Sequence, residues 1–230
     1  MTAPASKNAD LPVRVLSAIV MIGLAVAALM AGDPWFDWFV VAVVLVTMVE
    51  FVLLVVKATA NIPFRLAAIL AGAVYIGLAG VFLSRFPIPL VVGVVGAVIF
   101  VDTFAYFTGR ALGGPKIAPS ISPSKTWAGL LGAIIGATLW VAGWIYVIAR
   151  SMAGERTLFF EPKEMLQILG IGALIAIAAQ AGDFLESWLK RKAGVKDSSK
   201  LIPGHGGVFD RTDGMIPVVI LAGFLVRGLS

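Results

Sequence analysis

The run WFDWFVVAVVLVTMVEFVLLVV, from Trp35 to Val56, decides the class of the fold. Only Asp37 and Glu50 in it carry charge, and about 20 mainly apolar residues in an α-helix suffice to cross a bilayer. Six comparable stretches surround it: Leu11 to Met30, Phe64 to Leu83, Pro89 to Thr108, Trp127 to Ala149, Met165 to Leu185 and Met215 to Leu229. The last is short, and is expected either to be a thin, tilted segment or to begin inside the loop before it. Leu11 to Met30 resembles a signal peptide in length. Ala31-Gly32-Asp33 is a poor cleavage site, however, and more apolar stretches follow, so the segment reads as the first membrane helix. The expected fold is all-α: a polytopic membrane protein with about seven transmembrane helices.

The composition agrees. The chain is 60% hydrophobic and 13% charged, with mean hydropathy +0.98, where soluble domains are about half apolar and about a quarter charged. The 25 glycines and 12 prolines are ordinary for packed membrane helices. A net charge of +5 reads as Lys and Arg in cytoplasmic loops beside anionic headgroups, with no nucleic-acid partner. Cysteine is absent, which excludes disulfides, zinc thiolates and thiol nucleophiles. His205 is the single histidine, which excludes histidine-rich metal sites. Trp35, Trp38, Trp127 and Trp188 fall at expected interfaces as belt residues.

Basic residues orient the chain. With the N-terminus inside, Lys7, Arg14, Lys57, Arg65, Arg110, Lys116, Lys125, Lys190, Arg191, Lys192, Lys196, Lys200 and Arg211 lie inside. Only Arg85, Arg150, Arg156, Lys163 and Arg227 of the 18 lie outside. The positive-inside rule thus places both long polar loops, Gly109 to Thr126 and Glu186 to Gly214, in the cytoplasm.

Carboxylates point to the chemistry. Glu50, Asp102 and Asp183 fall inside or at the edge of apolar stretches, where a charge costs roughly 2.5–3.5 kcal/mol and calls for a partner or a function. For Glu50, a polar partner on a neighbouring helix is the expectation. Asp102 and Asp183 are expected near the cytoplasmic ends of the fourth and sixth stretches, with Asp210 and Asp213 just before the seventh. Four carboxylates at one face repel each other without cations, so Asp183 and Asp210, with Asp102 and Asp213 behind them, are the metal candidates.

If the sixth helix continues, Asp183, Ser187 and Lys190 stand at i, i+4 and i+7 on one face. Lys196-Asp197-Ser198 follows, then Pro203-Gly204-His205-Gly206-Gly207, a turn able to aim backbone N–H groups at an anion. Asp210 and Asp213, at i and i+3, are expected to share a helical face, with Arg211 offsetting phosphate charge. His205 is open to a structural, phosphate or base role. Lys190-Arg191-Lys192 is open to membrane anchoring or phosphate contact.

Ser187-Trp188-Leu189-Lys190-Arg191, Lys196-Asp197 and Pro203-Gly204-His205-Gly206-Gly207-Val208-Phe209-Asp210-Arg211-Thr212-Asp213 closely resemble, with spacing intact, the signature of the phosphatidate cytidylyltransferase (CDP-diacylglycerol synthase) family. Asp102-Thr103-Phe104-Ala105-Tyr106-Phe107-Thr108-Gly109-Arg110 and Ser122-Pro123-Ser124-Lys125-Thr126-Trp127 resemble a second block of that family. The resemblance covers mainly residues 98–214. Before it, Arg14 and Glu50 are small further touches. The domain is expected to be single, with N-terminal helices over 1–97 and a catalytic part over 98–230.

The resemblance implies that CTP and phosphatidic acid give CDP-diacylglycerol and pyrophosphate at a bilayer. It implies a bacterial-type cytoplasmic (inner) membrane, a site facing the cytoplasm, and a homodimer. Asp183, Lys190, Asp197, Asp210, Arg211 and Asp213 become the catalytic candidates. Asp102, Tyr106, Ser122, Lys125, Thr126, Ser187, Lys196, His205, Gly206 and Gly207 become the substrate-binding candidates. Mg²⁺, as one cation or a two-cation cluster, is expected on Asp183, Asp210 and Asp213. Ala128 departs from the family's usual glutamate, and Ser199 stands where glycine is common. Three rival readings remain: a CTP-dependent lipid-alcohol kinase, an ion-coupled transporter, and a catalytically silent relative.

Overall fold

A computed structural model of the chain describes residues 11–153 and 160–227. Lys7, Arg156 and the end of the last stretch at Leu229 lie outside the described residues. The helices are α1 (Leu11–Ala31), α2 (Trp35–Ala58), α3 (Ile62–Arg85), α4 (Ile88–Leu112), α5 (Trp127–Ala153), α6 (Pro162–Ala193), α7 (Phe209–Thr212) and α8 (Met215–Arg227). Six of them, α1 to α6, are long and apolar enough to cross a membrane. The chain is thus a multi-pass helical membrane protein. Its helices follow from hydropathy because lipid offers no partner to a backbone N–H or C=O, and a helix satisfies both internally. The shorter α8 has 13 residues, about 20 Å at 1.5 Å per residue, against a hydrocarbon core of about 30 Å.

The polar loops are more structured than their sequence suggested. α6 does not stop near Leu185 but continues to Ala193, so the second loop starts eight residues later than Glu186. Its first turn is set by Pro162 at the opening position and by Glu164, whose Oε2 accepts the Glu161 N–H at 2.9 Å. α4 likewise runs past Thr108 to Leu112. Beyond it, β1 (Lys116–Ala118) and β2 (Ser122–Thr126) form an antiparallel hairpin, with Lys116 opposite Thr126 and Ala118 opposite Ser122.

The chain gathers into two compact units. Of the described residues, the first holds 11–84 and 189–212, so the N-terminal helices and most of the signature belong together. Its core includes Leu54, Val55, Ile76 and Phe209, and Phe51 meets Phe209 edge-to-face at 5.8 Å. No residue of α1 is buried.

The second unit holds residues 85–188 and 213–230. Within it α4 and α5 pair along much of their length, and their indoles are satisfied across the pair. Trp140 Nε1–H donates to Gly93 O at 2.8 Å, and Trp144 Nε1–H to Pro89 O at 2.9 Å. Ala133, Ala137, Ala176 and Ala179 are fully buried. Small residues there allow close helix approach, which substitutes for the hydrophobic drive that lipid does not supply.

Candidate active site

In the first unit the signature loop is built on two acidic side chains. The Asp210 side chain is 5% exposed. Its Oδ1 accepts from Lys190 Nζ at 2.7 Å. Its Oδ2 accepts from Ser198 N (2.8 Å), Ser198 Oγ (2.8 Å) and Gly207 N (2.7 Å). Glu50, 3% exposed on α2, accepts from Ser199 Oγ (2.6 Å), Val208 N (3.1 Å) and Phe209 N (2.8 Å), and shares the single Ser198 hydroxyl proton with Asp210, its Oε2 lying 2.9 Å from Ser198 Oγ. It therefore takes the orphan N–H groups at the opening of α7. The expectation that Glu50 pairs with polar groups holds, though those groups come from the signature loop. Ser199 donates to Glu50, so here a hydroxyl is at work where the family commonly has glycine. Nothing in the sequence named Glu50 as a partner of the signature loop; its signals were a carboxylate inside an apolar run and a slight family likeness at that position.

Gly207 has no room for a side chain, since a Cβ there would lie 2.0 Å from Ser198 Oγ and 2.3 Å from Glu50 Oε2. Gly206 has φ +86, a conformation that favours glycine. The turn's N–H groups serve the loop itself: those of His205 and Gly206 donate to Ile202 O, and that of Gly207 to Asp210. Arg211 donates from Nε and Nη2 to His205 O at 3.2 and 2.8 Å. Lys196 and Asp197 are exposed.

In the second unit Asp183 pairs with Lys125 from β2. The ammonium also stands 5.3 Å from the centre of the Phe184 ring. Thr126 is buried and caps α5, its Oγ1 accepting Gly129 N–H at 3.0 Å. Ser122 is buried in the same hairpin. Asp213 follows α7, which ends at Thr212. Its carbonyl lies against Gly182, where a Cβ would come within 2.0 Å of it. Asp102 stands within α4, ten residues before its end, and is exposed. Tyr106 Oη accepts from Arg110 Nη1 at 2.7 Å, one turn along. Asp183 too stands within its helix, and the uninterrupted α6 places Asp183, Ser187 and Lys190 at i, i+4 and i+7.

Each principal metal candidate thus holds a lysine ammonium: Asp183 that of Lys125, Asp210 that of Lys190. Among the described residues no three His, Asp or Glu side chains form a ready metal cage. Mg²⁺ needs none, because it keeps several waters and is typically bound through one or two carboxylates plus substrate phosphates. Asp183 and Asp210 offer the hard carboxylate oxygens such an ion takes, each now held on a lysine ammonium.

The class this defines is a multi-pass membrane protein with a carboxylate- and lysine-lined polar segment. Residues 84–229 match the profile of the cytidylyltransferase family, and the chain belongs to that family. A phosphatidate cytidylyltransferase of Brucella abortus (strain 2308) is 41% identical over 157 residues, 66% of this chain and 54% of that protein. One of Rickettsia bellii (strain RML369-C) is 35% identical over 225 residues, 97% of this chain and 93% of that protein. One of Haemophilus influenzae is 43% identical over 118 residues, 51% of this chain and 38% of that protein. The chain spans about half the length of the Brucella relatives it matches.

Proposed function

We propose that this chain transfers the CMP moiety of CTP to phosphatidic acid, forming CDP-diacylglycerol and pyrophosphate for phospholipid synthesis. The observation that carries the reading is the signature from Ser187 to Asp213, whose Asp210 and Lys190 meet in a loop locked by Glu50. The full-length similarity to the Rickettsia relative supports it.

The lipid phosphate attacks the α-phosphorus of CTP, and the bond to the pyrophosphate oxygen breaks. Two anions must approach, so charge neutralisation and alignment dominate the barrier. Asp183 and Asp210 are the proposed donors to Mg²⁺, with Asp213 a further one. Mg²⁺, when bound, neutralises and aligns phosphate oxygens. Lys125 and Lys190, each held on a carboxylate, supply positive charge that can turn to substrate phosphates. Lys196 and Arg211 add to it, and Ser122 and Thr126 hold the hairpin that carries Lys125.

The thirteen-to-five distribution of basic residues supports a cytoplasmic site in a bacterial-type inner membrane. CTP then arrives from water, and phosphatidic acid enters laterally from the leaflet. A homodimer completes the proposal.

CTP labelled in turn at the α- and γ-phosphorus tests the reaction. Label from the α position is expected in the lipid and label from the γ position in pyrophosphate. Transfer of γ label to a lipid alcohol would replace the reading with the kinase. Ala128 offers a second check. It stands in the first turn of α5, where negative charge is worth about 0.3–1 kcal/mol of stabilisation. Ala128→Glu is expected to keep both folding and turnover, measured by thermal unfolding and pyrophosphate release. Complete loss of turnover would mean that the site is built around the methyl group.

A further inference from the structure

Ser17, half-buried in the second turn of α1, touches the Pro203–Gly207 turn. Its Oγ lies 2.9 Å from Pro203 O, 2.8 Å from His205 Nδ1 and 3.0 Å from Arg14 O. A hydroxyl has one proton to donate and two lone pairs, and carbonyl oxygens only accept. If the proton went to Nδ1, Oγ and Pro203 O would face each other at 2.9 Å with no hydrogen between them. If the proton goes to Pro203 O, Oγ is left to accept from an Nδ1–H, and both contacts become hydrogen bonds. This count puts a proton on Nδ1. The neutral ring then carries its free lone pair on Nε2.

The backbone around His205 is held independently of Ser17. His205 N–H donates to Ile202 O at 3.0 Å, Ile202 N–H donates to Gly206 O at 2.8 Å, and the Arg211 guanidinium grips His205 O. Gly204, with φ +76, rests on Arg14, where a Cβ would meet Cγ at 2.5 Å. With the backbone so fixed, the Ser17 hydroxyl decides the ring's orientation and tautomer.

We propose that Ser17 is a positioning residue that locks His205 as the Nδ1–H tautomer, so that Nε2 acts as the base toward a phosphate monoester. The tautomer assignment stands on geometry alone, and the identity of the proton donor rests on the proposed cytidylyl transfer. In that step the O–H bond of the lipid phosphate breaks and an Nε2–H bond forms, the P–O bond staying intact. The freed oxygen bonds to the α-phosphorus of CTP as the bond to pyrophosphate breaks. The imidazolium then returns its proton to solvent.

The single histidine makes the test direct, because ¹⁵N-histidine labelling reports His205 alone. Spectra of the full chain in lipid bilayers are recorded in alkaline buffer, where an imidazole is neutral. The expected spectrum has a protonated Nδ1 and an unprotonated Nε2. Ser17→Ala should move the proton toward Nε2 and lower kcat about tenfold or more with KM for CTP little changed. Ser17→Thr, which keeps the hydroxyl, should restore both. A wild-type proton on Nε2, or an unchanged Ser17→Ala spectrum, overturns the assignment. A shifted tautomer with unchanged kcat overturns the base role. A locked tautomer in a protein that makes no CDP-diacylglycerol upholds Ser17 and counts against the reaction instead.

Discussion

Asp210→Asn is expected to lower CDP-diacylglycerol formation about a hundredfold or more while leaving the helices folded. The magnitude is that of removing one electrostatic contributor from a preorganised site. The reason is the division of labour within the carboxylate. Oδ2 accepts from Ser198 N, Ser198 Oγ and Gly207 N, so the asparagine carbonyl must take that place for the loop to close. The new amide NH₂ then faces Lys190 Nζ, donor against donor, where a carboxylate oxygen had faced it at 2.7 Å. The position that attracted a cation now repels one. Turnover and circular dichroism on the same detergent preparation check this, and near-normal turnover would remove Asp210 from the chemistry. Lys190→Met should weaken the site less, because the carboxylate remains.

Glu50→Ala carries the second large effect, mainly on stability. Four donors converge on this buried carboxylate: two serine hydroxyls and the N–H groups of Val208 and Phe209. Removing the acceptor leaves Ser199 Oγ and the two N–H groups unpaired in a cavity, while Ser198 Oγ keeps Asp210 Oδ2, and each buried unsatisfied donor costs about 1–3 kcal/mol. With partial relaxation the total is about 3–5 kcal/mol, comparable to breaking a buried charged pair. Thermal unfolding in detergent should fall, and amide exchange at Val208 and Phe209 should speed up. Activity should fall with loop order, since Gly207 and Asp210 share the same frame. Ser199→Gly should be mild, because Glu50 Oε1 keeps the Val208 N–H and the exposed Leu201 N–H that Ser199 Oγ accepted turns to water. A Glu50→Ala protein as stable and active as the parent would refute the role of α2 in holding the signature.

The apolar half of the fold could be read from the sequence because lipid leaves the backbone few choices. Each stretch from Leu11 to Leu185 became a long helix with boundaries near those expected. The helix ends were harder. Between Leu185 and Ala193 hydropathy falls, but the residues remain good helix formers, so α6 carries Lys190 onward in register with Asp183. The hairpin escaped notice because β1 has three residues and β2 five, with no alternating pattern.

For the site, the signature named Asp210 and Lys190, and the second block Lys125, as chemical groups, but their partners could not be read. The Glu50–Ser198 bond spans 148 positions and the Ser17–His205 contact 188. No periodicity reports contacts of that range. The Gly-rich turn was read as an anion cradle, and its Gly207 N–H does meet an anion, the protein's own Asp210 carboxylate.

The most direct test of the central claim is product formation by the purified chain in lipid, given CTP, phosphatidic acid and Mg²⁺. The account predicts pyrophosphate and CDP-diacylglycerol in equal amounts, only when both substrates are present, and abolished by a chelator. Pyrophosphate or CDP-diacylglycerol undetectable from the folded protein, beside an active relative assayed in parallel, would contradict it.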